Sequence, residues 1–233
     1  EDASIVMVQS DAAVLNMTHL PAQVPNFFFT SSGNGSNVRG LRIHSNLSVR
    51  GNFEIAGNAK LNLNTGIAGD IAVSGDLKLA KYQAVTSAPE IRFPNTGAER
   101  SIEVFGNLRI EGDGARIQVQ SPNSAPQLIH EIIVHENIYQ NTPAGTGLNL
   151  FSNPLQDYIA LSLTGQGNHS FINENGFAPN LGSILIDKGN GLSSGFSFNS
   201  LINVDAPADG AVKPVELRNG LLTINDGLTD ITL

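Results

Sequence analysis

Apolar and polar residues alternate with a period of two through residues 41–80. Leu41, Ile43, Leu47, Val49, Phe53, Ile55, Leu61 and Leu63 are interleaved with Arg42, His44, Ser48, Arg50, Glu54, Lys60 and Asn62. A period of two places one set of side chains inside and the other in water, the signature of half-buried strands. A short unit recurs between them: glycine, then Asn or Asp, then apolar-x-apolar. It reads Gly51-Asn52-Phe53-Glu54-Ile55, Gly57-Asn58-Ala59-Lys60-Leu61, Gly69-Asp70-Ile71-Ala72-Val73 and Gly75-Asp76-Leu77-Lys78-Leu79. Gly51 to Gly69 is 18 residues, and so is Gly57 to Gly75. Such a repeat predicts a stacked β-coil. With three faces per 18-residue coil, Phe53 lies beneath Ile71, Ile55 beneath Val73, Leu61 beneath Leu79 and Val49 beneath Ile67. Asn52 then stacks on Asp70, and Asn58 on Asp76, at the corners. The expected fold is all-β, a right-handed parallel β-helix, its hand following the crossover rule.

Residues 1–40 read as an N-terminal capping segment with leading strands, and residues 41–233 as the β-helix. In the leading segment, Ser4 to Val8 and Ala12 to Met17 are strand-like, and Phe27-Phe28-Phe29 serve either as an end plug or as ordinary core aromatics. The repeat loosens after Lys81 and returns as Gly106-Asn107-Leu108-Arg109-Ile110, 31 residues after Gly75. That coil is expected to carry an inserted loop, the place where stacked β folds build binding surfaces. Gln127 to Tyr139 is rich in β-branched residues and predicts strand rather than helix. The chain ends on the alternating run Ile231-Thr232-Leu233, an open edge. The expectation is that the coil continues into a longer polypeptide or makes an end-to-end contact there.

Composition narrows the classes of function. The chain has 233 residues, 13 Lys and Arg against 21 Asp and Glu, a net charge of -8 and no Cys. The acidic balance argues against nucleic acid as a partner, because it repels phosphate backbones. Without Cys there is no disulfide or thiolate metal site. The 24 Gly and abundant Asn supply the left-handed backbone that tight bends require.

The segments Pro214 to Leu233 and Gly51 to Leu79, with their runs "VELRNGLLTINDG" and "GDIAVSGDLKLA", resemble the repetitive surface and secreted proteins of Bacteroidota, many of them adhesin-like and exported by the type IX secretion system. The resemblance covers roughly a quarter of the chain. It implies an extracellular or outer-membrane-attached location, with secretion and outer-membrane components and surface glycans as partners. The six-residue rungs also resemble bactofilins, although the long insertions depart from that compact pattern.

Candidate chemistry is sparse. His130-Glu131-Ile132-Ile133-Val134-His135-Glu136 superficially matches a zinc-protease helix. That motif needs its histidines four apart on one helical face, whereas these are five apart in a β-branched run and face opposite sides of a strand. Asp70 and Asp76 are the acids best placed by the repeat, and corner turns account for both. Asp205, Asp209, Asp226 and Asp230 sit in loop-like sequence as weak calcium candidates. No catalytic, cofactor-binding or metal residue is assigned, and no cofactor is expected. The functional expectation is a non-catalytic structural or adhesive surface rod. The alternative is a polysaccharide lyase or glycoside hydrolase on the same scaffold, which needs converging acids on one outer face.

Overall fold

The computed structural model describes residues 4–9, 15–17, 21, 23–31, 40–63, 65–66, 68–81, 88–123, 127–143, 146–175, 178–189, 193–200, 202–205 and 212–224. These form 25 strands, and among the described residues there is no helix. Sheet A contains β1 (Ser4–Gln9), β4 (Asn26–Ser31), β7 (Phe53–Gly57), β10 (Leu77–Ala80), β13 (Leu108–Glu111), β16 (Ile138–Asn141), β19 (Asn168–Asn173), β22 (Gly195–Phe198) and β25 (Leu221–Ile224). Sheet B contains β2 (Leu15–Met17), β5 (Gly40–Ile43), β8 (Lys60–Leu63), β11 (Glu90–Phe93), β14 (Arg116–Val119), β17 (Gly147–Asn149), β20 (Asn180–Leu181) and β23 (Asn203–Val204). Sheet C contains β3 (Gln23–Val24), β6 (Leu47–Val49), β9 (Ile71–Val73), β12 (Ser101–Val104), β15 (Ile129–Val134), β18 (Tyr158–Leu163), β21 (Ile184–Asp187) and β24 (Val215–Asn219).

Each strand from β1 to β22 pairs in parallel with the strand three further along the chain. The chain therefore circulates A, B, C and back to A, and the protein is a three-sided parallel β-solenoid. The strands of the leading segment belong to the same three sheets, because β1, β2 and β3 pair with β4, β5 and β6.

The alternation sets the core. Along sheet A one inward file runs Phe27, Phe53, Leu77, Leu108, Ile138, Phe171, Phe198. Sheet C carries Val24, Val49, Val73, Val104, Val134, Leu163, Ile186. All of these are buried. Burying each such aliphatic or aromatic side chain contributes roughly 1.5–3 kcal/mol before conformational entropy is counted. Phe27 and Phe29 belong to this core, and Phe27 stacks on Phe53 with ring centroids 4.9 Å apart. They are core aromatics of the second rung of sheet A, not an end plug.

The coil is longer than 18 residues. Phe53 pairs with Leu77, not Ile71, and Ile55 with Leu79, not Val73. Leu61 lies on Ile91, and Val49 on Val73. Phe53 and Ile71 occupy different sheets altogether. The physical reason is that the glycine-led unit marks one face, not one circuit. Gly51, Gly57 and Gly69 precede strands of sheets A, B and C, and the circuit closes only at Gly75. The expected insertion does hold, because Leu77 pairs with Leu108 across the longer loop. Gly51, Gly75 and Gly106 stack at one corner, each N–H donating to the carbonyl one rung before (2.9 and 3.1 Å). A Cβ on Gly106 would sit 2.7 Å from the Gly75 carbonyl oxygen, so the corner admits only glycine without a backbone shift.

The residue after each of these glycines builds a polar file parallel to the axis. Asn26 Oδ1 accepts from the Asn52 N–H (2.8 Å), Asn52 Oδ1 from Asp76 (2.9 Å), and Asp76 Oδ1 from Asn107 (2.8 Å). Asn107 Oδ1 accepts from Asn137 (3.2 Å), and Asn137 Oδ1 from the Ser170 N–H (3.0 Å). The file satisfies corner N–H groups that strand pairing leaves unused. A shorter one runs from Asn46 through Asp70 to Ser101. Asn52 thus stacks on Asp76, and Asn46 on Asp70, correcting the corner register expected from the sequence.

Candidate functional site

The three outward faces differ in chemistry. Sheet A carries a charge-balanced file: Glu54 pairs in register with Lys78, Lys78 with Arg109, and Arg109 with Tyr139. Lys78 lies 3.2 Å from Glu111, Arg109 lies 3.3 Å from Asp76, and the Arg109 guanidinium sits 4.1 Å over the Tyr139 ring. Sheet C presents acids, hydroxyls and aliphatic groups. There His135 Nε2 is 2.9 Å from Glu103, and its ring stacks on the half-exposed Phe105.

Sheet B is different. Its outward positions form two files fixed by register. One file is Gly40, Lys60, Glu90, Arg116, Gly147. The other is Arg42, Asn62, Arg92, Gln118, Asn149, Asn180, Asn203. Four cations thus face one carboxylate. Glu90 is only 1% exposed and is the hub: Arg92 Nη2 lies 2.8 Å away, Arg116 Nε 3.3 Å and Lys60 Nζ 3.4 Å. Gln118 Nε2 also donates to it. Burial by itself raises the Glu90 carboxyl, but the Arg92 hydrogen bond and the charges of Arg92, Arg116 and Lys60 outweigh it and hold the group below its ordinary value. Lys60 is lowered, by burial first and then by the Arg92 charge. Beside this hub lies a recess of about 320 Å³ lined by Lys60, Lys81, Glu90, Asp113 and Arg116.

The residues singled out from the sequence are dispersed. His130 points inward and is fully buried. Its Nδ1 accepts from the Arg100 N–H (3.0 Å), and its Nε2 lies 2.8 Å from the Pro94 carbonyl. That arrangement suits a neutral ring with its proton on Nε2, and burial lowers the pKa despite the Pro94 contact. His135 lies on the outer surface, so the two imidazoles are on opposite sides of the wall. Asp70 and Asp76 are corner acceptors. Asp205 is exposed, whereas Asp209, Asp226, Asp230 and the run Ile231–Leu233 lie outside the described residues. Of the outward residues grouped by sequence, Arg42 and Lys60 reach sheet B, and Glu54 and Lys78 reach sheet A.

Sequence reasoning missed Glu90, Arg92 and Arg116. The available signal was the match of Lys60-Leu61-Asn62-Leu63, Glu90-Ile91-Arg92-Phe93 and Arg116-Ile117-Gln118-Val119, all polar-apolar-polar-apolar. It also missed Lys188, buried at a corner, whose Nζ donates to the carbonyls of His135 (2.8 Å) and Thr164. Burial lowers Lys188 to about 8, with Glu136 opposing the shift. Among the described residues no three or more His, Asp or Glu converge as a metal-binding group. Comparison with models of protein families, with curated proteins and with solved structures finds no match to this chain.

Proposed function

We propose that this chain is a non-catalytic structural and adhesive rod of the cell exterior, a substrate of the type IX secretion system of the kind its "VELRNGLLTINDG" texture resembles. The observation that carries the reading is how the solenoid uses its acids. Asp70 and Asp76 are spent as corner acceptors, and Glu90 is enclosed by three cations and Gln118. A glycosidase or lyase needs acids free to exchange protons with substrate. Here the best-placed carboxylates hold the coil together, while amides and cations face outward in continuous files. Such files suit contact with an extended ligand along a rigid surface.

The test is incubation of the purified chain with panels of acidic and neutral polysaccharides, followed by assay for new reducing ends and unsaturated products. Retention of glycans without turnover is expected. Turnover overturns the reading in favour of the carbohydrate-active enzyme. Surface labelling of intact source cells tests the location, and an exclusively internal protein overturns that part.

A further inference from the structure

We propose that the outward face of sheet B, where Lys60, Arg92 and Arg116 surround Glu90 and Arg42 lies two rungs before Arg92 in the same file, binds a linear acidic glycan of the polyuronate class laid along the solenoid axis. This rests on the reading of the protein as a glycan-contacting rod and names the ligand class.

The cations occur once per rung on four successive strands, β5, β8, β11 and β14, and they alternate between the two outward files. Arg42 and Arg92 belong to one file, Lys60 and Arg116 to the other. Adjacent rungs are about 4.8 Å apart, and residues two apart on a strand are separated by about 6.8 Å. The attachment points of the cations therefore zigzag up the face one rung at a time, while the heads of Lys60, Arg92 and Arg116 draw together over Glu90. An extended 1,4-linked uronate chain carries one carboxylate per sugar, at an interval comparable to one rung, with successive groups projecting to alternate sides. The attachment points of the cations match that pattern in interval and alternation.

Glu90 makes the zigzag rigid. Because it sits beneath three cations, it fixes their heads without neutralising the face, and four positive charges against one negative remain. Each guanidinium has five N–H donors in a planar fork suited to carboxylates, so one contact with Glu90 leaves donors for a ligand. From β14 onward the file turns from cation to amide through Gln118, Asn149, Asn180 and Asn203, groups that pair with sugar hydroxyls. The recess beside Lys60 and Arg116 gives the face depth. Nucleic acid fits less well. The described outward positions of sheet B hold no aromatic side chain for base stacking, and the chain's charge of -8 repels a duplex that extends past the groove.

The experiment is titration calorimetry of the full chain with size-defined oligogalacturonides, their carboxyl-reduced neutral counterparts and a DNA duplex of equal charge. Saturable binding of the uronate oligomer alone is expected. Raising the salt to about 1 M weakens it at least tenfold by screening. The double variant R92Q/R116Q weakens it about tenfold or more, and K78A on sheet A leaves it unchanged. R42Q alters an exposed side chain and reads the same face if the double variant does not fold; a severalfold loss is expected. The proposal is overturned if the acidic and neutral oligomers bind alike, if neither binds, if the duplex binds as tightly, or if R42Q and R92Q/R116Q both bind as the parent does. The two readings fail differently. Cleavage of the oligomer defeats the non-catalytic assignment and leaves the groove standing, whereas retention of neutral glycans alone defeats the groove and leaves the adhesive rod standing.

Discussion

Sheets A and B are built on one plan and differ almost entirely on the outside. Both carry unbroken inward files of Leu, Ile and Phe. Outward, sheet A pairs Lys78 with Glu111 and Arg109 with Asp76, each a partly exposed ion pair. Sheet B gathers cations about a single buried carboxylate. A parallel solenoid brings outward residues from distant points of the sequence into one file, and the file's chemistry is free to vary without touching the core. One face spreads its ion pairs over several rungs, and the other concentrates its cations about one site.

The first way to break this comparison is through the core, where the two faces should respond alike. Phe53→Ala beneath sheet A and Phe93→Ala beneath sheet B each remove a fully buried ring. Each is expected to cost about 3–5 kcal/mol in urea denaturation. A large loss on one side only means that the faces differ in more than their surfaces.

The charges should then separate the two. Glu90→Ala leaves Lys60, Arg92 and Arg116 crowded without their carboxylate and is expected to cost about 2 kcal/mol. Glu111→Ala breaks a pair whose side chains are 36% and 38% exposed, and should cost less than about 1 kcal/mol. Equal losses by denaturation would remove the distinction between hub and surface pair.

Acid sharpens the same contrast. His130 has a folded pKa below its ordinary 6.5, so on acidification the unfolded chain takes up the proton first and stability falls from about pH 6.5 downward. Glu90 is also depressed, below 4.5; its contribution is complete above that value and is lost as pH falls through the folded pKa. Melting temperature against pH should therefore decline in two stages. His130→Gln should flatten the upper stage and Glu90→Gln the lower.

The smallest effect is expected at the corner that leads into sheet A. Asn52→Ala removes the acceptor for the Asp76 N–H and should cost about 1 kcal/mol, whereas Asp76→Asn keeps the Oδ1 acceptor, gives up only the partly exposed pair with Arg109, and should cost less than about 0.5 kcal/mol.

Much of the fold was legible in the sequence because the inward positions obey a strict period of two. The β-solenoid follows from that alternation and from the recurring glycine corners. The length of the circuit was not legible. The unit that opens β7 also opens β8, β9 and β10, so self-similarity counts faces rather than turns. The same ambiguity hid the candidate site. Lys60, Glu90 and Arg116 become neighbours only when circuits of unequal length are aligned, and the loops that make them unequal carry no periodic signal. Asp70 and Asp76 were recognised as corner residues because that role depends on their immediate neighbours alone.

The Asn and Asp file along the corner bears on how such a rod changes size. Each member is held by the backbone of the next and offers its own oxygen in the same way. Excising residues 53–76 would bring Leu77 to the seat of Phe53 and leave Asn52 facing Asn107, with every acceptor still matched. Removal of part of that stretch would instead shift the outward residues onto the wrong wall. Growth and shortening by whole circuits is therefore the low-cost path for this architecture, which makes its span a quantity that splicing can set.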